Sequence, residues 1–388
     1  MKKVLGLILE LNPPHNGHKY FIDKAIKEVK PDYTIAIISG NICQRGELSV
    51  ISKYDKTKVL LDLGIDVVLE LPIVYTINSA DLFSYYSIYI LNKFGITDLA
   101  FGVELDNLIL LKQMKDMLDK LSYNDYIKFY LDKGSSYSQA SLKAVYKLTD
   151  NKEILENFSK PNNTLAIQYL KAIDNINPKI NVTLIKRINA NYYDTIVKSA
   201  KSKIASATSL RSLLANNESI DKFLIDEAKG KNIIDQKQAY GNLLTILKYK
   251  INIQNQDITK FKDVIEGIEN RIYNILMEVN NFDDLVNKIS TRRYTKNRVK
   301  RILINIILEI TDDVNETYLR LLGFSPIGEK YINTLNEEVK EQIVTSLKNN
   351  NSKIAKYELK GSYLLALISN NKNIYTQEFL IPLKKENK

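Results

Sequence analysis

VLGLILELNPPHNGH (residues 4–18) decides the fold of this 388-residue chain. VLGLILEL (4–11) is a short apolar run rich in branched side chains, broken only by Glu10. That is the pattern of a strand buried on both faces. The turn NPPHN follows, and a helix is expected from about Gly17, with Ile22, Ala25, Ile26 and Val29 at the spacing of one helical face. Pro31-Asp32 stops it, and YTIAIIS (33–39) is a second buried strand. Strand, helix and strand in so short a span make a βαβ unit with a parallel pair.

The rhythm continues along the chain. KYDKTKVLLDLG (53–64) reads as a helix closed by glycine, DVVLELP (66–72) as a third strand, and SADLFSYYSIYILNKFG (79–95) as another glycine-closed helix. TDLAFGVE (97–104) is a fourth strand, and NVTLIKRI (181–188), after a long helical stretch, a fifth. The expectation is an α/β fold, a doubly wound parallel sheet over residues 1–217, followed by a mainly α-helical domain over 218–388. The polar stretch NNESIDKFLIDEAKGKN (216–232) is the expected seam, and KYELKGS (356–362) with TQEFLIPL (376–383) a short strand pair in the tail.

Lys plus Arg is 55 and Asp plus Glu 45, giving a formal charge of +10. This suits a polyanion or a phosphate-bearing substrate, and equally a well-solvated lysine-rich surface. The lone Cys43 allows no intrachain disulfide, as in a reducing cytoplasm. The start MKKVLGLILEL is too short in its apolar run for a secretory signal, because Glu10 cuts it. No apolar stretch reaches the ~18 residues that span a bilayer. A cytoplasmic protein with no membrane and no implied protein partner is expected.

The only two histidines, His15 and His18, stand in the turn after the first strand. In doubly wound sheets, ligands bind beyond the carboxyl ends of the strands. A helix start there offers free N–H groups and a positive dipole end, and Gly17 permits close approach. Two imidazoles beside it make an anion site suited to phosphate. A structural pair of histidines is the plain alternative. No cysteine, third histidine or tight carboxylate cluster completes a metal set, so no metal ligand is assigned.

His15-Asn16-Gly17-His18 resembles the HxGH signature of the nucleotidyltransferase superfamily, related to class I aminoacyl-tRNA synthetases. The resemblance implies that the motif binds ATP phosphates and stabilises the pentavalent transition state at the α-phosphorus. SATSLR (206–211) resembles that superfamily's second phosphate element, putting Ser206, Thr208 and Arg211 at the β and γ phosphates, where the planar guanidinium suits phosphate oxygens. Read alone, Ser-Ala-Thr is an ordinary helix cap. The ordered set LELNPPHNGH, SGNICQRGE (39–47), DVVLELP, AFGVE (100–104), KPNNTLAIQYLKA (160–172), IKRI (185–188) and SATSLR, with GIENRI (267–272), TRRYTKNRVKRILI (291–304) and LRLLGFSPIGEKYI (319–332), resembles the tRNA(Met) cytidine acetate ligase family over most of the chain.

That family is taken to activate acetate with ATP as acetyl-adenylate, magnesium being the expected companion of ATP (Mg2+). It then acetylates N4 of the wobble cytidine of elongator tRNA(Met). By resemblance, the ATP contacts are Leu7, Ile8, Leu9, Glu10, Leu11, Asn12, Pro13, Pro14, His15, Asn16, Gly17, His18, Lys19, Tyr20, Gly102, Asn162 (or its neighbour Asn163), Arg187, Ile188, Ser206, Thr208 and Arg211. His15, His18 and Arg45 are the catalytic candidates, and Gln44 and Arg45 offer donors to acetate, a phosphate or the cytidine. Glu104 could end a strand or cap a helix.

KISTRRYTKNRVKR (288–301) carries seven Lys or Arg and no acid. Val299, Ile302, Leu303 and Ile306 form an apolar stripe, so one side packs and another is cationic. Arg292, Arg293, Lys296, Arg298, Lys300 and Arg301 are the expected tRNA-binding residues, with Tyr294 a possible platform for a base. A solvated helix face is the plain alternative. Two other functions share parts of the pattern: adenylation of a small phosphorylated metabolite, and an RNA-binding module without activity.

Overall fold

The computed structural model describes residues 2–188, 203–312, 314 and 316–386. β1 (Val4–Leu9), β2 (Tyr33–Ser39), β3 (Val67–Leu71), β4 (Asp98–Val103) and β5 (Asn181–Lys186) form the expected parallel set in the order β5-β4-β1-β2-β3. β1 lies at the centre, and Val4, Leu5, Leu7 and Leu9 are buried, which explains its unbroken apolar sequence. Helices α1 (Asn16–Val29) and α2 (Lys53–Asp62) lie on one face, in a cluster with Ile22, Ala25 and Leu60. The helices Ala80–Lys93 and Pro161–Ile176 pack together on the other. Between them, four helices fill the stretch from Leu108 to Asn157.

The chain beyond 217 is mainly helical, as expected, but it also completes the sheet. β6 (Leu319–Phe324) pairs antiparallel with β3, so the sheet is mixed; β7 (Ile343–Val344) and β8 (Leu383–Lys384) add to β6. The expected tail strand pair is corrected. KYELKGS belongs to the helix Lys353–Ile368, and only the end of TQEFLIPL reaches a strand, β8. The polar seam is also docked: Ile220, Phe223, Leu224, Ile225 and Ala228 are buried beside Val59 of α2.

A buried charge cluster ties this later half to the first. Lys53 Nζ meets Glu70 at 2.7 Å, Glu378 at 2.5 Å and Glu358 at 3.4 Å. Arg320 of β6 reaches Glu378 at 3.1 Å. Burial works against the charge on Lys53, but Glu378, Glu70 and Glu358 hold its pKa well above the usual lysine range. Burial and then Glu358 push the Glu70 pKa well up, against the pull of Lys53. Lys53→Met removes one cation and leaves a buried carboxylate uncompensated. Chemical denaturation should show a loss of about 3–5 kcal/mol.

Candidate active site

The turn after β1 is built by its own side chains. His15 is the N-cap of α1, and its Nδ1 accepts the Gly17 N–H at 3.1 Å. His18 Nδ1 accepts the His15 N–H at 3.2 Å, closing a capping box made of two imidazoles. A Cβ at Gly17 would stand 2.9 Å from the His15 ring, so glycine is what lets the ring fold over the first turn. Because both Nδ1 atoms accept, the proton of each neutral ring is assigned to Nε2. The rings lie 3.9 Å apart. Burial, then Arg187 and Lys56, lowers His18 to about 3; burial, then His18 and the arginines, pushes His15 well down too. Both rings are therefore neutral donors near neutral pH.

They line a cavity of about 420 Å3 at the carboxyl edge of the sheet. The second phosphate element stands at the same cavity. Ser206 caps the helix Ala207–Ala215, and Ser206, Thr208 and Arg211 all line the space. Arg211 Nη1 donates to the Asn12 carbonyl at 2.7 Å, fastening the two motifs across 199 residues. Asn12 itself accepts the Val50 N–H at 2.8 Å and donates to the Leu48 carbonyl at 3.2 Å. Asn16 donates to the Lys203 carbonyl at 2.9 Å instead of facing the cavity.

Of the remaining expected residues, Ile8, Leu9, Glu10, Gly17, Tyr20, Arg45, Gly102, Asn162, Arg187 and Ile188 line the cavity. Leu7, Leu11, Pro13, Pro14 and Lys19 do not; Leu7 and Leu11 are buried in the α1 face of the core. The two asparagines are placed differently. Asn163 is fully buried, accepts the Glu104 and Leu105 N–H groups and donates to the Asn157 carbonyl. Asn162 faces the cavity, donates to Glu104 at 2.5 Å and accepts from Arg187 at 3.5 Å. Glu104 caps the start of the Pro161–Ile176 helix by accepting the Asn163 N–H at 3.0 Å. The buried Arg187 Nε has no hydrogen-bond partner among the described residues, as fits a cavity made for an anion.

Sequence reasoning did not find Phe83, Phe101, Leu165 and Tyr169, which wall the cavity from the Ala80–Lys93 and Pro161–Ile176 side. It also left Glu47 without a role. Glu47 bridges Arg211 at 2.9 Å and Lys300 at 3.3 Å, and these cations with Arg45 hold its pKa down against its burial. A Cβ on Gly46 would stand 2.7 Å from the Arg301 backbone nitrogen, and its φ is +70°, so this loop lies flush on the basic helix Lys296–Leu308.

The apolar stripe of that helix is buried as expected. Its cations divide. Arg292, Arg293 and Lys296 are exposed, Arg293 with a 2.6 Å ion pair to Glu266. Arg298 lies over the Tyr294 ring at 4.6 Å and pairs with Asp263 at 3.5 Å. Lys300 serves Glu47, and Arg301 is largely buried, with its Nε unpartnered among the described residues. Tyr294 is corrected as a stacking platform: it is 6% exposed and its hydroxyl donates to the Ile265 carbonyl at 2.6 Å.

Burial of neutral imidazole has a stability consequence. Between pH 6.5 and about 3 the unfolded chain protonates His18 and the folded chain does not, so stability falls as pH falls through that window. His18→Asn keeps an acceptor near the Nδ1 position and removes the titrating group. Unfolding free energies from chemical denaturation between pH 7 and 5 should fall less steeply in the variant, by up to about 1.4 kcal/mol per pH unit.

The HIGH Nucleotidyl Transferase family model matches residues 1–379. The chain is 32% identical to the tRNA(Met) cytidine acetate ligase of Thermoanaerobacter sp. (strain X514) over 401 residues, 98% of this chain and 99% of that protein. It is 35% identical to the Caldicellulosiruptor saccharolyticus protein of the same name over 356 residues, 87% of this chain and 86% of that one. Among solved structures it resembles Thermotoga maritima TmcAL in its apo form, with a TM-score of 0.87 at 26% identity, covering 99% of this chain and 100% of that one. A second form of that protein, bound with alpha-thio ATP, gives 0.83 at 25% identity with the same coverage.

Proposed function

The chain belongs to the HIGH Nucleotidyl Transferase family and, within it, to the tRNA(Met) cytidine acetate ligases, and we propose that its cavity joins acetate to ATP and passes the acetyl group to the wobble cytidine of elongator tRNA(Met). It is an ATP-dependent ligase that modifies tRNA. The observation that carries the reading is the convergence of both phosphate elements on one cavity, fastened by the bond from Arg211 to Asn12.

Acetate is already ionised near neutral pH and needs no base to attack the α-phosphorus. What the reaction requires is placement and relief of the phosphates' charge. In this reading the Nε2–H groups of His15 and His18 donate to phosphate oxygens as negative charge builds. Arg211, with Ser206 and Thr208, holds the outer phosphates. Arg45 and Gln44 receive acetate, and Asn162, Arg187, Gly102 and Ile188 bind the nucleoside part. Magnesium would come with ATP, held by phosphate oxygens and water; among the described residues no group of three His, Cys, Asp or Glu forms a cage for it. The ion would offset phosphate charge.

The exposed cations Arg292, Arg293 and Lys296 would meet the tRNA backbone, with Lys300 and Arg301 acting through the loop behind them. Residues 1–217 would then hold the chemistry and 218–388 most of the tRNA contact. A cytoplasmic place is part of the proposal; no helix among the described residues is long and apolar enough to cross a membrane.

Labelled acetate, ATP and a tRNA(Met) transcript incubated with the enzyme should leave the label on tRNA. Exchange of labelled pyrophosphate into ATP should be strongest with acetate in a panel of short acids; no exchange with any acid defeats the reading. His18→Asn should cost about 2–4 kcal/mol of barrier in that exchange while keeping the fold. Lys296→Ala should weaken tRNA binding and lower the slope of log affinity against log salt by about 1, with exchange unchanged.

A further inference from the structure

Among the described residues two acids line the cavity, Glu10 and Glu47. An acid in a pocket for a triphosphate opposes its ligand, so each needs a reason. Glu47 has one, since it bridges Arg211 and Lys300. Glu10 has no ion pair among the described residues: its Oε1 accepts the Gln44 N–H at 2.7 Å and the Ser39 hydroxyl at 3.2 Å, and the buried Lys56 behind it feels its charge without touching it.

The position of Glu10 is informative. Side chains alternate along β1: Leu5, Leu7 and Leu9 face the α1 side of the sheet, and Ile8 packs on the opposite core. Two residues beyond Ile8, Glu10 continues that opposite side. The contacts agree. Gln44, whose N–H it accepts, donates through Nε2 to the Asn78 carbonyl just before the Ala80–Lys93 helix. The buried Tyr169 phenol of the Pro161–Ile176 helix feels the charge of Glu10. The cavity thus carries both imidazoles and Arg211, and also Glu10 near the Tyr169 ring, with Phe83 in the same wall as Tyr169.

A carboxylate beside aromatic walls repels acetate and phosphate and suits an exocyclic amine on a flat ring. On cytosine that donor is N4, the atom a carboxylate reads. Taking the function proposed above as its basis, we propose that Glu10 accepts a hydrogen bond from N4 of the target cytidine and receives the proton N4 sheds during acetylation. The N4 lone pair attacks the acetyl carbon and a C–N bond forms. The bond from that carbon to the phosphate oxygen breaks, and its electron pair leaves with AMP. One N4 proton stays in the new amide, and the other passes to the Glu10 carboxylate and then to water as product departs. Adenine also carries an exocyclic amine, but the residues proposed for the nucleoside come from β4, the start of the Pro161–Ile176 helix and the end of β5, whereas Glu10 is held by the end of β2 and the loop after it.

The test separates the two half-reactions in the full-length enzyme. Adenylate formed from labelled acetate and ATP is chased with tRNA(Met) transcript, and pyrophosphate exchange is measured without tRNA. Glu10→Gln should slow the chase about 100-fold more than it slows exchange, the range of a lost general base. Glu10→Asp should recover part of that loss. A transcript with uridine at the wobble position offers an acceptor in place of the amine. It should compete poorly against the wild type and better against Glu10→Gln. Equal slowing of chase and exchange would assign Glu10 to ATP and overturn the inference, as would a chase at the wild-type rate. A wild-type enzyme that forms no adenylate at all defeats the function itself, which keeps the two failures apart.

Discussion

Two backbone N–H groups at the start of α1 are bonded into the Nδ1 atoms of His15 and His18, and the chemistry of the cavity depends on that constraint. It fixes both tautomers, leaving Nε2–H on each ring as the donor. It also holds the rings 3.9 Å apart without a charge on either. Two imidazolium ions at that distance would repel, and their burial would add a desolvation cost. Neutral donors avoid both and still stabilise an anion that arrives later. The permanent positive charge comes from Arg45, Arg187 and Arg211, each reaching the same space from a different element.

The fastening of those elements explains why distant parts of the chain act together. Arg211 is shared between the Asn12 carbonyl and Glu47, and Glu47 is shared between Arg211 and Lys300. One carboxylate therefore stands between the phosphate side of the cavity and the basic helix. The loop carrying it lies so close to that helix that Gly46 has no room for a side chain. Behind the cavity, Lys53 collects carboxylates from β3 and from two segments near the chain's end. A cut at residue 217 would strip away β6, Glu358 and Glu378, leaving β3 an open edge and Lys53 with one partner. The proposed division of labour between the two parts of the sequence is thus carried by a single sheet.

Where one period dominates, the sequence was legible. The βαβ start, the glycine-closed helices and the stripe Val299, Ile302, Leu303, Ile306 have regular burial and regular spacing. Legibility failed where a buried charge interrupts the pattern. LRLLGF contains Arg320, 1% exposed, so a central strand reads as a mixed segment. Glu358 lies on the inner side of the Lys353–Ile368 helix, where an acid suggests an outer face. Its partner Lys53 is 305 residues away, and no local window contains both. The aromatic walls failed for a different reason: Phe83, Phe101 and Tyr169 are as buried as core residues, and only the shape of the fold shows that one edge of each meets an empty space.

The basic stretch shows the limit of counting charges. Seven Lys or Arg without an acid make a strong linear signal, but a helix turns its residues to all sides. Lys300 and Arg301 meet the loop that carries Gly46 and Glu47, where one supports Glu47 and the other is largely buried. Arg298 covers Tyr294 and removes the ring from the surface. What faces solvent is a small set around Arg292, Arg293 and Lys296. One turn on from the exposed Lys296, Lys300 of the same helix holds Glu47, the carboxylate that also pairs with Arg211. The helix meets the loop bearing Gln44, Arg45 and Glu47 through the close approach of Gly46 and the ion pair from Lys300 to Glu47. That loop also supplies the N–H that positions Glu10, so Glu10 and the helix proposed to meet tRNA share one support.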